Sequence, residues 1–111
     1  MEKARAHTKY VRISPRKARL AADLIRGLKV EEAKIQLDFC KLKAGRLLQK
    51  TLNSAIANAE TQLNVQRRDL KVDEVRVDAG PVIKRAKSKS RGGRVPVMKR
   101  TSHFTVVVTA E

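Results

Sequence analysis

Residues 79–103 read AGPVIKRAKSKSRGGRVPVMKRTSH, and the organisation of this stretch decides the fold. It carries Lys84, Arg85, Lys87, Lys89, Arg91, Arg94, Lys99 and Arg100, and no acid occurs between Asp78 and Glu111. Gly92-Gly93 lies near its middle, a dipeptide suited to a two-residue hairpin turn. Val82 and Ile83 before it, and Val95, Val97 and Met98 after it, give both arms strand-forming residues. The pattern predicts a basic β-hairpin. At ~3.3 Å per residue, about 13 residues per arm span ~40 Å, more than the diameter of a small domain. A lone two-stranded ribbon is marginal in water, so its order must come from contacts outside the body. The charges point to phosphates. The competing state is a solvated, disordered basic loop.

Strands flank the hairpin. Upstream, Leu70 and Val72 share one phase while Val75 and Val77 share the other, which predicts a bulge or strong twist near Asp73-Glu74. Downstream, Phe104, Val106 and Val108 alternate with Thr105, Val107 and Thr109. Val107 on the polar side predicts partial cover of both faces. Residues 4–13 form a further strand, with Val11 and Ile13 facing the core.

Three helices lie between the first strand and the second. Ser14-Pro15 supplies an N-cap and a first helical residue. Leu20, Ala21, Leu24 and Leu28 mark the apolar side of this helix, Arg16, Arg19, Asp23 and Arg26 run along another, and Gly27 ends it. A short helix at about 31–39 places Glu31 and Glu32 in its first turn, where the dipole favours acids. Val30, Ala33, Leu37 and Cys40 share its inner face. A longer helix at about 42–63 carries Ala44, Leu47, Leu48, Leu52, Ala55, Ile56, Ala59 and Leu63 as one stripe. The expected fold class is α+β: three helices packed on a small three-stranded antiparallel sheet, with a long protruding β-hairpin. One domain is expected, with a globular body at 1–80 and 101–111 and the hairpin at 81–100.

Composition narrows the function. Among 111 residues, 26 Lys and Arg stand against 11 acids, a net charge of +15. Such self-repulsion is relieved by a polyanion, and nucleic acid is the first candidate. An anionic membrane surface needs aromatic anchors, and this chain has no Trp and two Phe. No apolar run is long enough for a membrane span. Cys40 is the only cysteine, so no internal disulfide forms, and a reducing, cytoplasmic compartment is expected. His7 and His103 stand apart in sequence without evident partners. No phosphate-cradling glycine loop, zinc spacing or aromatic stacking platform is present. No enzyme activity, cofactor, metal or small-molecule substrate is expected.

Basic faces extend beyond the hairpin. Residues 3–22 hold seven Lys and Arg and no acid. Arg12, Arg16, Lys17, Arg19 and Arg26 are candidate phosphate ligands there, although a solvated helix face accounts for them equally well. A basic first half runs against the helix dipole, which makes an anionic neighbour the better explanation. The stretch 39–59 is also free of acid, and Lys43, Arg46 and Lys50 join the candidates. Asn53, Ser54 and Asn58 suit RNA 2′-hydroxyls or the chain's own backbone.

Four segments carry a resemblance: SPRKARLAADLIRG at 14–27, LNSAIANAE at 52–60, VRVDAGPVIKR at 75–85 and KRTSHFTVVV at 99–108. Together, in this order and spacing, they resemble the bacterial large-subunit ribosomal protein L-twenty-two family over nearly the whole chain. The resemblance implies a structural, non-catalytic protein that binds large-subunit ribosomal RNA, touches neighbouring ribosomal proteins and aids subunit assembly. It implies a body near the exit of the nascent-polypeptide tunnel and a hairpin lining the tunnel wall, so the nascent chain is a further partner. By position, Ile83, Lys84 and Arg85 match the tunnel-facing segment, and Lys89, Arg91 and Gly92 match the tip. Two positions depart from the pattern: Gly93, where Arg is common, and Pro96, which predicts an interrupted ladder. The rival from another class is an architectural DNA-binding protein with basic β-arms, and Pro96 between Val95 and Val97 would be its wedge.

Overall fold

The computed structural model describes residues 3–88 and 90–110. In chain order the elements are β1 (Lys3–Val11), α1 (Pro15–Ile25), α2 (Val30–Asp38), α3 (Lys43–Gln62), β2 (Leu70–Ala79), β3 (Ile83–Ser88), β4 (Arg94–Lys99) and β5 (Ser102–Ala110). A three-stranded antiparallel sheet runs β1-β5-β2, and β3 and β4 form a separate ribbon. The fold class is the expected one, α+β.

Alternation makes the sheet two-sided. Ala4 and Ala6, Phe104, Val106 and Val108, and Leu70, Val72, Val75 and Val77 are buried in one core. Among the described residues Phe104 is the only aromatic in that core, so aliphatic packing dominates it. The strand register slips between Val72 and Glu74, the bulge foreseen from the phase change. It returns Val75 and Val77 to the buried face. A second slip lies between Thr8 and Val11 in β1, where Tyr10 has φ 59°. That slip puts Val11 and Ile13 inward although Ala4 and Ala6 already point that way. Central β5 also buries Thr105, Val107 and Thr109 on its other side. Their neighbours across the ladders are Arg5, His7, Lys3, Lys71, Glu74 and Arg76, whose long side chains cover that face.

The helices pack on the inner face. α3 presents Ala44, Leu48, Leu52, Ala55, Ile56 and Ala59, as its stripe predicts. α2 buries Val30, Ala33 and Leu37. Cys40 packs half-buried beside Gly45, where an added Cβ would come within 2.9 Å of the Cys40 Cβ. α1 corrects the expectation. Its buried residues are Ala18, Ala21, Ala22 and Ile25, whereas Leu20 and Leu24 are exposed. Small residues let α1 lie close to β2, and this rotation carries Arg19 and Arg26 to the edge of that strand. Gly27, at φ 79°, ends the helix as expected.

The ribbon lies outside the core. Every side chain of β3 is exposed, and Val97 alone on β4 is half-buried. The radius of gyration is 16.9 Å, against about 13 Å for a compact chain of this length. The long axis is 62 Å and the others are 25 and 16 Å. The β3-β4 ladder takes up six residues of each arm. The turn differs from the expected one. Ser88 pairs with Arg94, so the turn lies between them, with Arg91 at φ 68° and Gly92 at φ 77°. A two-residue turn at Gly92-Gly93 would have set Arg91 opposite Arg94, and like charges directly opposed are unfavourable. Lys89 lies outside the described residues. The ladder is not broken at Pro96, which pairs with Ala86 in unbroken register. Alternate N–H groups in a two-stranded ribbon point away from the partner strand, and proline is tolerated at such a position.

Candidate nucleic-acid interface

α1 starts where Ser14 Oγ accepts the Lys17 N–H at 3.3 Å. Arg16 and Lys17 in its first turn are exposed. Arg19 and Arg26 are turned elsewhere. Arg19 donates through Nε and Nη2 to the Val77 carbonyl at 3.2 and 3.1 Å. Arg26 donates to the Val75 carbonyl at 3.2 and 2.8 Å, and its Nη1 pairs with Asp23. β2 is an edge strand, and these two guanidiniums satisfy carbonyls that face no neighbouring strand. Their first role is structural, which helical spacing alone does not reveal.

Lys43, Arg46 and Lys50 fall on one face of α3 and are all exposed. Lys43 Nζ donates to the Arg12 carbonyl at 3.3 Å, and Arg12 Nη1 donates to the Arg100 carbonyl at 2.8 Å. The fold thereby gathers Arg12, Lys43 and Arg100 from three distant parts of the chain. Asn58 donates to the Arg5 carbonyl at 2.9 Å, so it serves the backbone rather than a partner.

On the ribbon, alternation divides the cations. Ile83, Arg85 and Lys87 share a face with Val95, Val97 and Lys99. Lys84, Ala86 and Ser88 share the other with Arg94, Pro96 and Met98. The candidate tunnel residues Ile83 and Arg85 therefore point together and Lys84 points away. Arg91 and Gly92 form the turn. All eleven acids lie outside residues 79–110, and among the described residues ion pairs such as Lys3–Asp73, Arg67–Glu60 and Arg76–Glu74 join groups of the body. The ribbon's cations thus have no carboxylate within their own element.

The ribbon root holds residues that charge patterns cannot flag. Gly80 donates its N–H to the Thr101 carbonyl at 2.9 Å, and Thr101 Oγ1 donates to the Pro81 carbonyl at 2.6 Å. The Tyr10 N–H donates to His103 Nδ1 at 3.1 Å, and the two rings meet edge-on with centroids 5.0 Å apart. His7 bonds Thr105 Oγ1 at 3.0 Å through its Nδ1. Both histidines are thus engaged structurally. Among the described residues, no group of three or more His, Cys, Asp or Glu is placed to hold a metal ion, and no helix is long and apolar enough to cross a membrane.

Comparison with known proteins gives this arrangement a family. The model of the family described as ribosomal protein L22p/L17e matches residues 6–109. The chain belongs to this family. It is 70% identical over 109 residues to the large ribosomal subunit protein uL22 of Protochlamydia amoebophila (strain UWE25), with 98% of each chain covered. It is 64% identical over 104 residues to the protein of the same name from Chlamydia pneumoniae, with 94% of each covered. The counterpart from Chlamydia abortus (strain DSM 27085 / S26/3) is 65% identical over the same coverage. The L22p/L17e match spans both the body and the ribbon, so the basic arm belongs to the family's shared length.

Proposed function

We propose that the chain is a structural constituent of the large ribosomal subunit, held there by large-subunit ribosomal RNA and acting in the cytoplasm. Its family and its relatives' names support that placement. The observation that carries RNA binding is the ribbon itself: basic, free of acid and outside the core. Arg12, Arg16, Lys17, Lys43, Arg46 and Lys50 on the body, with Lys84, Arg85, Lys87, Lys89, Arg91, Arg94, Lys99 and Arg100 on the arm, make the phosphate contacts. Arg19 and Arg26 contribute charge from the β2 edge. Phosphate contacts supply affinity, and the shape of the body fixes position. Neighbouring ribosomal proteins pack around the body, and the chain aids assembly by joining separate RNA segments.

The arm lines the nascent-polypeptide tunnel, with the body near its exit. Its exposed, two-faced geometry supports this, because one face can rest on RNA while the other meets the moving chain. Ile83 and Arg85 on one face, Lys84 on the other, and Arg91 and Gly92 at the turn are the lining residues, and Lys89 joins them as a candidate from its place in the sequence.

Salt titration of binding to large-subunit ribosomal RNA tests the electrostatic core of the proposal. A log-log slope of roughly 0.7–0.9 per phosphate contact is expected. A flat response, or preference for duplex DNA in competition, overturns it. Crosslinkers placed at positions 84 and 85 in intact large subunits should capture both RNA and nascent chain. Capture of neither removes the tunnel assignment.

A further inference from the structure

Where the ribbon leaves the body, the surface folds inward into an open cavity of about 440 Å³. Four cations, Arg12, Lys17, Lys43 and Arg100, line it together with the apolar Ile13, Leu42 and Met98. No acid is among the lining residues. Leu42 and Met98 are exposed, so their apolar surface is open to a ligand beside the four cations. The volume lies in the range of roughly 300–1,000 Å³ that holds small organic ligands. A surface that only followed a regular RNA backbone would need the cations and not the hollow or its apolar wall.

We propose that this cavity receives one unstacked nucleotide of the bound RNA. Its phosphate sits among Arg12, Lys17, Lys43 and Arg100, and its base lies against Leu42, Met98 and Ile13. This rests on the RNA-binding function proposed above and adds a site within it. The walls are preset: Lys43 Nζ holds the Arg12 carbonyl and Arg12 holds the Arg100 carbonyl, which ties α3, the start of α1 and the ribbon root together. RNA offers such a nucleotide at a bulge or loop, where sequence-specific recognition is directed to splayed-out bases. The cavity therefore anchors the ribbon root at one irregular position in the RNA.

The test uses the full chain and intact large-subunit ribosomal RNA, with affinity read across salt concentrations and base reactivity probed in the complex. Leu42→Ser and Met98→Thr each remove one side chain of the apolar wall. Leu42 is the N-cap of α3 and lacks a side-chain cap, so serine there supports the helix rather than weakening it. Each variant should bind roughly three- to tenfold more weakly with an unchanged salt slope. One base protected by the original chain should become reactive in both variant complexes. Lys17→Gln should lower the slope by about 0.7–0.9. If both apolar variants bind like the original chain and no base changes reactivity, the cavity takes no base and the proposal falls, even when Lys17→Gln lowers the slope. If the original chain itself binds without salt dependence, the RNA-binding function fails first and the cavity proposal with it.

Discussion

Thr101 Oγ1 donates to the Pro81 carbonyl at 2.6 Å, and this bond closes the root of the ribbon. Thr101 is buried, and the Gly80 N–H donates to its carbonyl at 2.9 Å. These two contacts link the β2-β5 ladder to the β3-β4 ladder, which are otherwise separate sheets. Uncharged residues thus help to set the direction of the arm, beside the bond from Arg12 to the Arg100 carbonyl.

Thr101→Val keeps the shape and removes the donor. It leaves the Pro81 carbonyl without this partner and should cost about 1–2 kcal/mol. Urea unfolding followed by circular dichroism reads this directly. Unchanged stability would mean that the clamp is dispensable.

Gly80→Ala tests the same joint from the other side. An added Cβ would meet Thr101 Oγ1 at 2.5 Å and the His103 ring at 3.1 Å. The strain should lower stability by about 1–3 kcal/mol. The same substitution at Gly92 meets no atom within 4 Å but has φ 77°, so its cost comes from backbone strain in the turn. Gly92→Ala should leave the unfolding of the body unchanged.

Two arginines of α1 should separate by role. Arg26→Ala strips the Val75 carbonyl of its donors and should destabilise the protein by about 1–2 kcal/mol. Arg16→Ala, at an exposed position, should alter stability by less than about 0.5 kcal/mol. It should instead weaken RNA binding and reduce its salt slope. Parallel unfolding and binding titrations distinguish the two.

Removing residues 84–98 and closing the gap with a short Gly-Ser link should leave a cooperatively folding body. The buried core includes no residue between Val77 and Phe104. A broad, non-cooperative transition would show that the arm belongs to the folding unit. The shortened protein should lose most of its RNA affinity.

Much of the fold was legible because burial imposes period. The stripe from Ala44 to Ala59 and the alternation of Phe104, Val106 and Val108 each admit one way of hiding apolar surface. The phase change between Val72 and Val75 even located the bulge, since only an extra residue returns both pairs to the core. α1 misled because hydrophobicity ranks leucine above alanine. The helix approaches β2 through Ala18, Ala21 and Ala22, so closeness of approach outweighed side-chain size.

Net charge and the lack of acids around the ribbon established, by sequence alone, a strongly basic protein, and the shared segments pointed to its family. Charge is a sum over residues and needs no coordinates. Tertiary structure alone decided which cations face outward and which, like Arg19 and Arg26, are spent on an edge strand. It also decided the two faces of the ribbon, the turn at Arg91-Gly92, and the cavity joining Arg12, Lys43 and Arg100. Those are relations between residues up to 88 positions apart, such as the bond from Arg12 to the Arg100 carbonyl. Local periodicity cannot encode them, because they follow from how β5 closes the sheet between β1 and β2.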